Sequence, residues 1–171
     1  GKGKRILNPV TEVTMDENSY MEMEMVQIKG VDSTQRMTKA DLAAGAKLII
    51  RERLLTHGDQ HAESGFVVNL NGEDSSANVI SRSVAKNNST QVFNAEINGN
   101  AKCAGHSECD AIIMDHAKIS AIPKIVANDI DAALIHEAAI GKIAGEQLIK
   151  LMTLGLTEQE AEAQIVNGFL K

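Results

Sequence analysis

The sequence predicts a mainly β fold that ends in a short helical hairpin, and three features carry that prediction. A long middle stretch breaks into short apolar runs separated by Asn, Gly, Asp and Ser, the pattern of many short strands. Aromatic residues make up 2% of a chain that is 43% hydrophobic, so the core must be built from Ile, Val, Leu, Ala and Met. Such a core suits thin stacked layers of strand better than a fold packed around large rings. Near the C-terminal end the short runs give way to helical spacing.

The first zone runs from about Lys4 to Arg36. Met21, Met23 and Met25 alternate there with Glu22 and Glu24, the period of a half-buried strand with carboxylates in water. A methionine stripe can bind a soft metal, but filling an irregular core is the commoner use of Met. The second zone, from about Lys39 to Asn128, contains the runs 46–50, 66–70, 78–81, 91–97, 111–114 and 119–126. Asn71-Gly72-Glu73-Asp74, Lys86-Asn87-Asn88-Ser89 and Asn98-Gly99-Asn100 lie between them, residues that tolerate turn and left-handed conformations. A sandwich, a barrel and a β-helix all fit this zone. The Asn-Gly pairs favour hairpins, and hence a sandwich. Asn residues repeated through a stack of coils would ladder their amides instead. No rung length follows from the repetition.

The third zone begins near His136 and is read as helical. Leu148, Leu151 and Met152 share one face, with Lys150 outside, and Gly155 is placed to end the helix ahead of Leu156. Thr157-Glu158-Gln159-Glu160 has the capping-box form. Ala161, Ile165, Val166 and Phe169 then make an apolar stripe that must pack on the β-core or on a partner.

At 171 residues the chain is one domain, or one domain with a small appendage. A net charge of −6 argues against nucleic acid as a partner, and too few rings are present to stack bases. No apolar run is long enough to span a bilayer, and no signal peptide opens the chain. Two Cys are too few for a secreted disulfide framework, so a cytoplasmic protein is expected. The chain opens on Gly1 rather than Met, which leads one to expect residues upstream.

The densest reactive cluster is Cys103-Ala-Gly-His106-Ser-Glu108-Cys109-Asp110. Thiolate, imidazole and carboxylate all bind zinc or iron. The spacing matches no compact zinc ribbon, and two Cys cannot close a four-thiolate cluster. Either Cys reads equally as a small buried apolar residue. His136-Glu137 is the second candidate. On a strand these neighbours face opposite ways, so one chain does not aim both at one ligand. The plainer reading makes Glu137 a first-turn carboxylate of the next helix. His57-Gly-Asp-Gln-His61 has the spacing of a helical metal pair but reads as a turn, because Gly58 stands where the zinc-protease motif has Glu. Neither a phosphate-binding P-loop nor a hydrolase nucleophile elbow is present.

Gly105-His-Ser-Glu-Cys-Asp-Ala-Ile-Ile-Met-Asp115, His136-Glu-Ala-Ala-Ile-Gly-Lys-Ile143, Glu146-Gln-Leu, Leu154-Gly-Leu-Thr-Glu and Ile165-Val-Asn-Gly-Phe169 together resemble the SufB/SufD core family of iron–sulfur cluster assembly. Asn8-Pro-Val and Leu54-Leu-Thr-His-Gly-Asp59 extend the resemblance over nearly the whole chain. The resemblance implies a single-stranded, right-handed parallel β-helix over 1–135 and a C-terminal helical subdomain over 136–171. It implies a scaffold rather than an enzyme, with a transient, nascent iron–sulfur cluster as cargo and apo iron–sulfur proteins as recipients. A SufC-type ATPase would dock on the helices, with Gln147, Leu148, Leu151, Glu160, Ile165 and Phe169 as its contacts. By motif, the SufB-type Cys and Glu fall on Cys109 and Glu137, and the SufD-type His falls on His136. One chain thus carries the residues of both partners, which implies a homodimer through the β-helix. Its shared iron site would take Cys109 and Glu137 from one chain and His136 from the other. Cys103, His106 and Glu108 are weaker candidates, and flavin binding has no readable motif. Family members are usually longer at both ends, so the chain is a short homologue or a truncated core. Two other readings stay open: an interaction module that recruits the ATPase without metal, and an unrelated metal protein using Cys103, His106 and Cys109.

Overall fold

The computed structural model describes residues 3–171. The strands are β1 (Ile6–Leu7), β2 (Val10–Met15), β3 (Tyr20–Gln27), β4 (Ser33–Leu42), β5 (Lys47–Thr56), β6 (His61–Leu70), β7 (Ser75–Ala85), β8 (Thr90–Gly99), β9 (Cys103–Ile113), β10 (Lys118–Ala127) and β11 (Ala132–Gly141). Two helices follow, α1 (Gly145–Thr153) and α2 (Glu158–Phe169). Even-numbered strands from β4 onward stack in one parallel sheet, with β1 and β2 both paired to β4, and β3, β5, β7, β9 and β11 stack in the other. The chain alternates between the sheets and winds about five coils of a β-solenoid. Every ladder is parallel, so neither Asn-Gly pair makes a hairpin: Asn71-Gly72 turns the chain toward the opposite sheet, and Asn98-Gly99 is the paired end of β8, with the turn beginning at Asn100.

Each sheet turns alternate side chains inward, and the core lies between the two sheets. Leu42, Leu48, Ile50, Phe66, Val68, Leu70, Val79 and Ile97 are fully buried there. Phe66 and Phe93, on adjacent strands, hold ring centroids 5.7 Å apart. Met21, Met23 and Met25 pack inward as the alternation predicts. Glu22 and Glu24 point out, where Arg51 and Arg53 pair with them at 2.7 and 3.1 Å. Pro9, which lacks an N–H, separates β1 from β2. Asn8 Oδ1 accepts the Gln35 N–H at 2.9 Å across that break.

The amide ladder expected of stacked coils is present. Asn128 donates to Asn100 and Asn100 to Asn71, each at 2.7 Å and at sequence steps of 28 and 29. Those steps are the coil length. The turn corners follow the same beat: Gly58, Asn87 and Asp115 stack with φ near +60°, and Asn18, Gly45 and Asp74 do so at the other corner. Short polar residues and glycine accept that conformation at low cost.

The helical hairpin lies where expected, but it begins later. The strand β11 carries on through His136 to Gly141, and α1 starts at Gly145. The 132–141 stretch is rich in Ala, with Leu and Glu beside it, which are helix-forming residues. Pairing along the whole of β9 overrides that preference. Gly155 ends α1 with φ +96° and donates to Met152. Thr157 and Glu160 complete both halves of the capping box of α2. Among the described residues no helix is long and apolar enough to cross a membrane.

Candidate functional site

The strands β9 and β11 carry most of the predicted site residues, and their pleat sorts them onto two faces. Cys103, Gly105, Ser107 and Cys109 face the core, while His106, Glu108 and Asp110 face outward. Register pairs His136 with Ser107, Glu137 with Glu108 and Ala138 with Cys109. His136 therefore shares the inner face with Cys109, and Glu137 lies on the other side. The prediction that His136 and Glu137 point opposite ways holds. The plainer reading of Glu137 as a helix-capping carboxylate does not: it sits mid-strand, and α1 is capped at Ala144.

Inside, Cys109 is 1% exposed. Burial, followed by the charges of Glu52 and Asp110, pushes its thiol up to about 12. Cys103 is also raised by burial. His136 Nδ1 meets Ser107 Oγ at 2.6 Å, and burial, then the nearby His106, lowers the imidazole below its usual range. A third inner group was missed by the sequence analysis. Glu52 is buried on β5 and accepts from Ser64 Oγ at 2.5 Å and Ser81 Oγ at 2.8 Å. Its row runs through Ser81 to Cys109. Burial raises its carboxyl despite those two hydrogen bonds. Strict parity was the available signal, since Leu48, Ile50 and Leu54 alternate inward and Glu52 falls among them.

Outside, His106, Glu108 and Glu137 bring one ligand atom each within 4.8 Å of one another. His106 Nε2 is 3.6 Å from Glu137 Oε2, and its Nδ1 donates to Asn78 Oδ1 at 3.0 Å. Burial, then the adjacent Asp110, pushes the Glu108 carboxyl up.

The grouping of Cys103, His106 and Cys109 on one metal is corrected by this geometry. Both thiols face the core and His106 faces out, and the two Cys, six positions apart on one strand, stand roughly 20 Å apart at 3.3 Å per residue. His57 and His61 flank a turn, in which the Gln60 side chain accepts the His57 N–H at 2.8 Å. His61 Nδ1 lies 2.7 Å from Thr90 Oγ1.

At the last coil the interior opens. Ile125 and Ile140 continue the inward rows of Ile97 and Ala111 but are 40% and 38% exposed. His136 lies at this end. On the hairpin, an open groove of about 420 Å³ is lined by Gln147, Lys150, Leu151, Gln164, Ile165 and Gly168. Leu148 and Phe169 are half-buried, and Glu160 is engaged in the capping box.

Comparison with known proteins gives the family. Residues 3–169 match the family model described as SUF system FeS cluster assembly, SufBD core domain. An iron–sulfur cluster assembly SufBD family protein of Methanocaldococcus jannaschii is 32% identical over 170 residues, which cover 98% of this chain and 54% of the relative. One from Archaeoglobus fulgidus is 31% identical over 167 residues, covering 96% of this chain and 45% of the relative. A third, from Pyrococcus horikoshii, is 38% identical over 120 residues, covering 69% and 27%. The chain thus spans about half the length, or less, of these curated relatives. With the stacked parallel coils, the paired helices and a match along almost its whole length, the chain belongs to the SufBD core family of iron–sulfur cluster assembly.

Proposed function

We propose that this chain is a non-enzymatic scaffold on which an iron–sulfur cluster is assembled as transient cargo. One observation supports this best. Two adjacent strands near the open end of the solenoid carry a thiol and an imidazole on their inner face, Cys109 and His136, and an imidazole and three carboxylates on their outer face, His106, Glu108, Asp110 and Glu137. Thiolate suits sulfur acceptance and iron, and imidazole and carboxylate are borderline and hard iron ligands. A site with one thiol is open enough to release what it builds, whereas four thiolates would retain it.

In this reading a second copy meets the open last coil. Cys109 and Glu137 of one chain then act with His136 of the other, and exposed Ile125, Ile135 and Ile140 supply apolar area for the contact. ATP hydrolysis belongs to a separate SufC-type ATPase that seats on the hairpin groove. Movement of the hairpin would widen the opening at the last coil and release Cys109 from the interior. Apo iron–sulfur proteins receive the cluster, in a cytoplasmic setting. Burial of Cys109 favours a second reading, in which the chain recruits the ATPase and binds no metal.

Anaerobic reconstitution with ferrous iron and sulfide tests the proposal. Wild type is expected to gain cluster absorbance in the visible, and Cys109→Ser to lose most of it. Equal yields from both would leave the second reading, which then predicts an undiminished ATPase pull-down.

A further inference from the structure

On the outer face of β9 and β11, two facing carboxylates have no Lys or Arg within 4.0 Å. Glu108 and Glu137 are direct register partners, and like charges directly opposite on neighbouring strands repel. Among the described residues the only basic group within 4.0 Å of either carboxylate is His106. Arg51 and Arg53, on the same face, are taken up by Glu22 and Glu24. Arg82 pairs in register with Asp110 and eases Glu108 only from a distance.

The tautomer of His106 decides what it offers this pair. Asn78 Oδ1 can only accept, so His106 Nδ1 carries a proton. A neutral ring then presents the Nε2 lone pair to the Glu137 carboxylate at 3.6 Å, an acceptor facing an acceptor. That distance is close to the roughly 3.4 Å between two ligands placed about 2.1 Å from one ion at a tetrahedral angle. Holding the distal ring N–H in a hydrogen bond is also how ligating histidines are oriented elsewhere. Glu137 is largely exposed, so its rotation closes the remaining span of 4.8 Å among the three ligand atoms.

We infer that His106, Glu108 and Glu137 form a divalent first-row transition-metal site on the outer face of a single chain, oriented by Asn78 and independent of Cys109. One imidazole and two carboxylates with open positions suit Fe²⁺, Co²⁺, Zn²⁺ or Mn²⁺. Resting on the scaffold reading only for the identity of its physiological ion, the site would hold ferrous iron on the outer face of the sheet.

Anaerobic titration of the chain with Co²⁺, followed by visible absorption and metal counting, tests this. One ion per chain is expected, with weak ligand-field bands and no intense thiolate-to-metal charge-transfer band. His106→Ala and Glu108→Gln should each weaken binding at least about ten-fold. Asn78→Ala should weaken it about ten-fold with the ligands intact, the usual size of a second-shell loss. His116→Ala, in an exposed turn, controls for general surface histidine binding and should bind as wild type does. No binding at about 100 μM Co²⁺, equal binding by His106→Ala, or a strong thiolate band would each overturn the site, leaving a protonated His106 as the charge between the glutamates. Cluster reconstitution in the same variants separates this inference from the scaffold reading. A chain that assembles a cluster but ignores His106→Ala loses the outer site alone. A chain that binds one ion through His106 and Glu108 but never builds a cluster loses the scaffold alone.

Discussion

Cys109 and Glu137 stand one register step apart on neighbouring strands and face opposite sides of the sheet that carries them. The thiol and the carboxylate that the proposed scaffold would use together therefore lie on separate sides of one sheet. With its thiol pushed up to about 12, Cys109 holds a thiolate fraction of only about 10⁻⁴ at pH 8, against a tenth or more for an unperturbed thiol. Alkylation by iodoacetamide should run on the order of a thousand-fold slower in the native chain than in urea. The rate should rise when the ATPase and nucleotide are added, if the opening at the last coil widens as proposed. A native rate within about ten-fold of the unfolded one would show that the thiol is already accessible.

Glu52 gives a pH dependence of unusual sign. Its folded carboxyl is raised above the ordinary 4.5, so between that value and the folded one the native chain binds more protons than the unfolded chain. Stability is full below about 4.5 and is lost as pH rises through the folded value. Glu52→Gln is isosteric with the protonated acid and keeps a partner for Ser64 and Ser81. Urea midpoints of the variant should match wild type near pH 4.5 and exceed it at pH 8. A variant that loses stability equally at both values would mean the carboxylate is needed charged.

Much of this fold can be read from the sequence, for local reasons. The capping box at Thr157 and Glu160, the stop at Gly155 and the Met stripe of β3 each depend on neighbours a few residues away. The Asn ladder was legible as a possibility, and its step was not, because interchangeable aliphatic residues fill the inner positions of every coil. The beat was present in the corners, where Gly58, Asn87 and Asp115 recur, but three residue types share one conformation there. The end of β11 was illegible for a different reason: its helix-forming residues become strand through pairing with β9. The site divides the same way. Parity separates His136 from Glu137, whereas the meeting of His106 with Asn78 and Glu137 spans three coils and appears only once the register is fixed.

His136 should report on its own enclosure. Its folded value lies below the ordinary 6.5, so the ring is neutral at pH 7 and its contribution to stability is present above 6.5 and lost as pH falls through the folded value. Ser107→Ala removes the 2.6 Å hydrogen bond and should cost about 1 kcal/mol at pH 7.5. Both proteins should lose stability at pH 5, where protonation favours the unfolded chain, and the difference between them should persist, because that protonation is common to both. An imidazole NMR titration of wild type with a midpoint at or above 6.5 would contradict the enclosed, neutral ring.

Gly72 tests the stacking of the coils themselves. A Cβ built there would lie 2.0 Å from the Ala44 backbone N and 2.4 Å from its Cα, in the coil beneath. Neither atom belongs to a flexible side chain that can move aside. The φ of Gly72 is not left-handed, so the requirement for glycine is one of space and not of backbone strain. Gly72→Ala must lift one corner off its neighbour, where Gly45 donates to the Glu73 carbonyl at 2.8 Å and both the Asn71 and Gly72 N–H groups donate to the Leu42 carbonyl. Overpacking of this kind costs about 1–3 kcal/mol. Gly58→Ala meets no atom within 4 Å and bears only the strain of its positive φ, about 1 kcal/mol. Thermal melts should therefore rank Gly72→Ala below Gly58→Ala. The reverse order would show that the corner at Gly72 is looser than the stacked coils require.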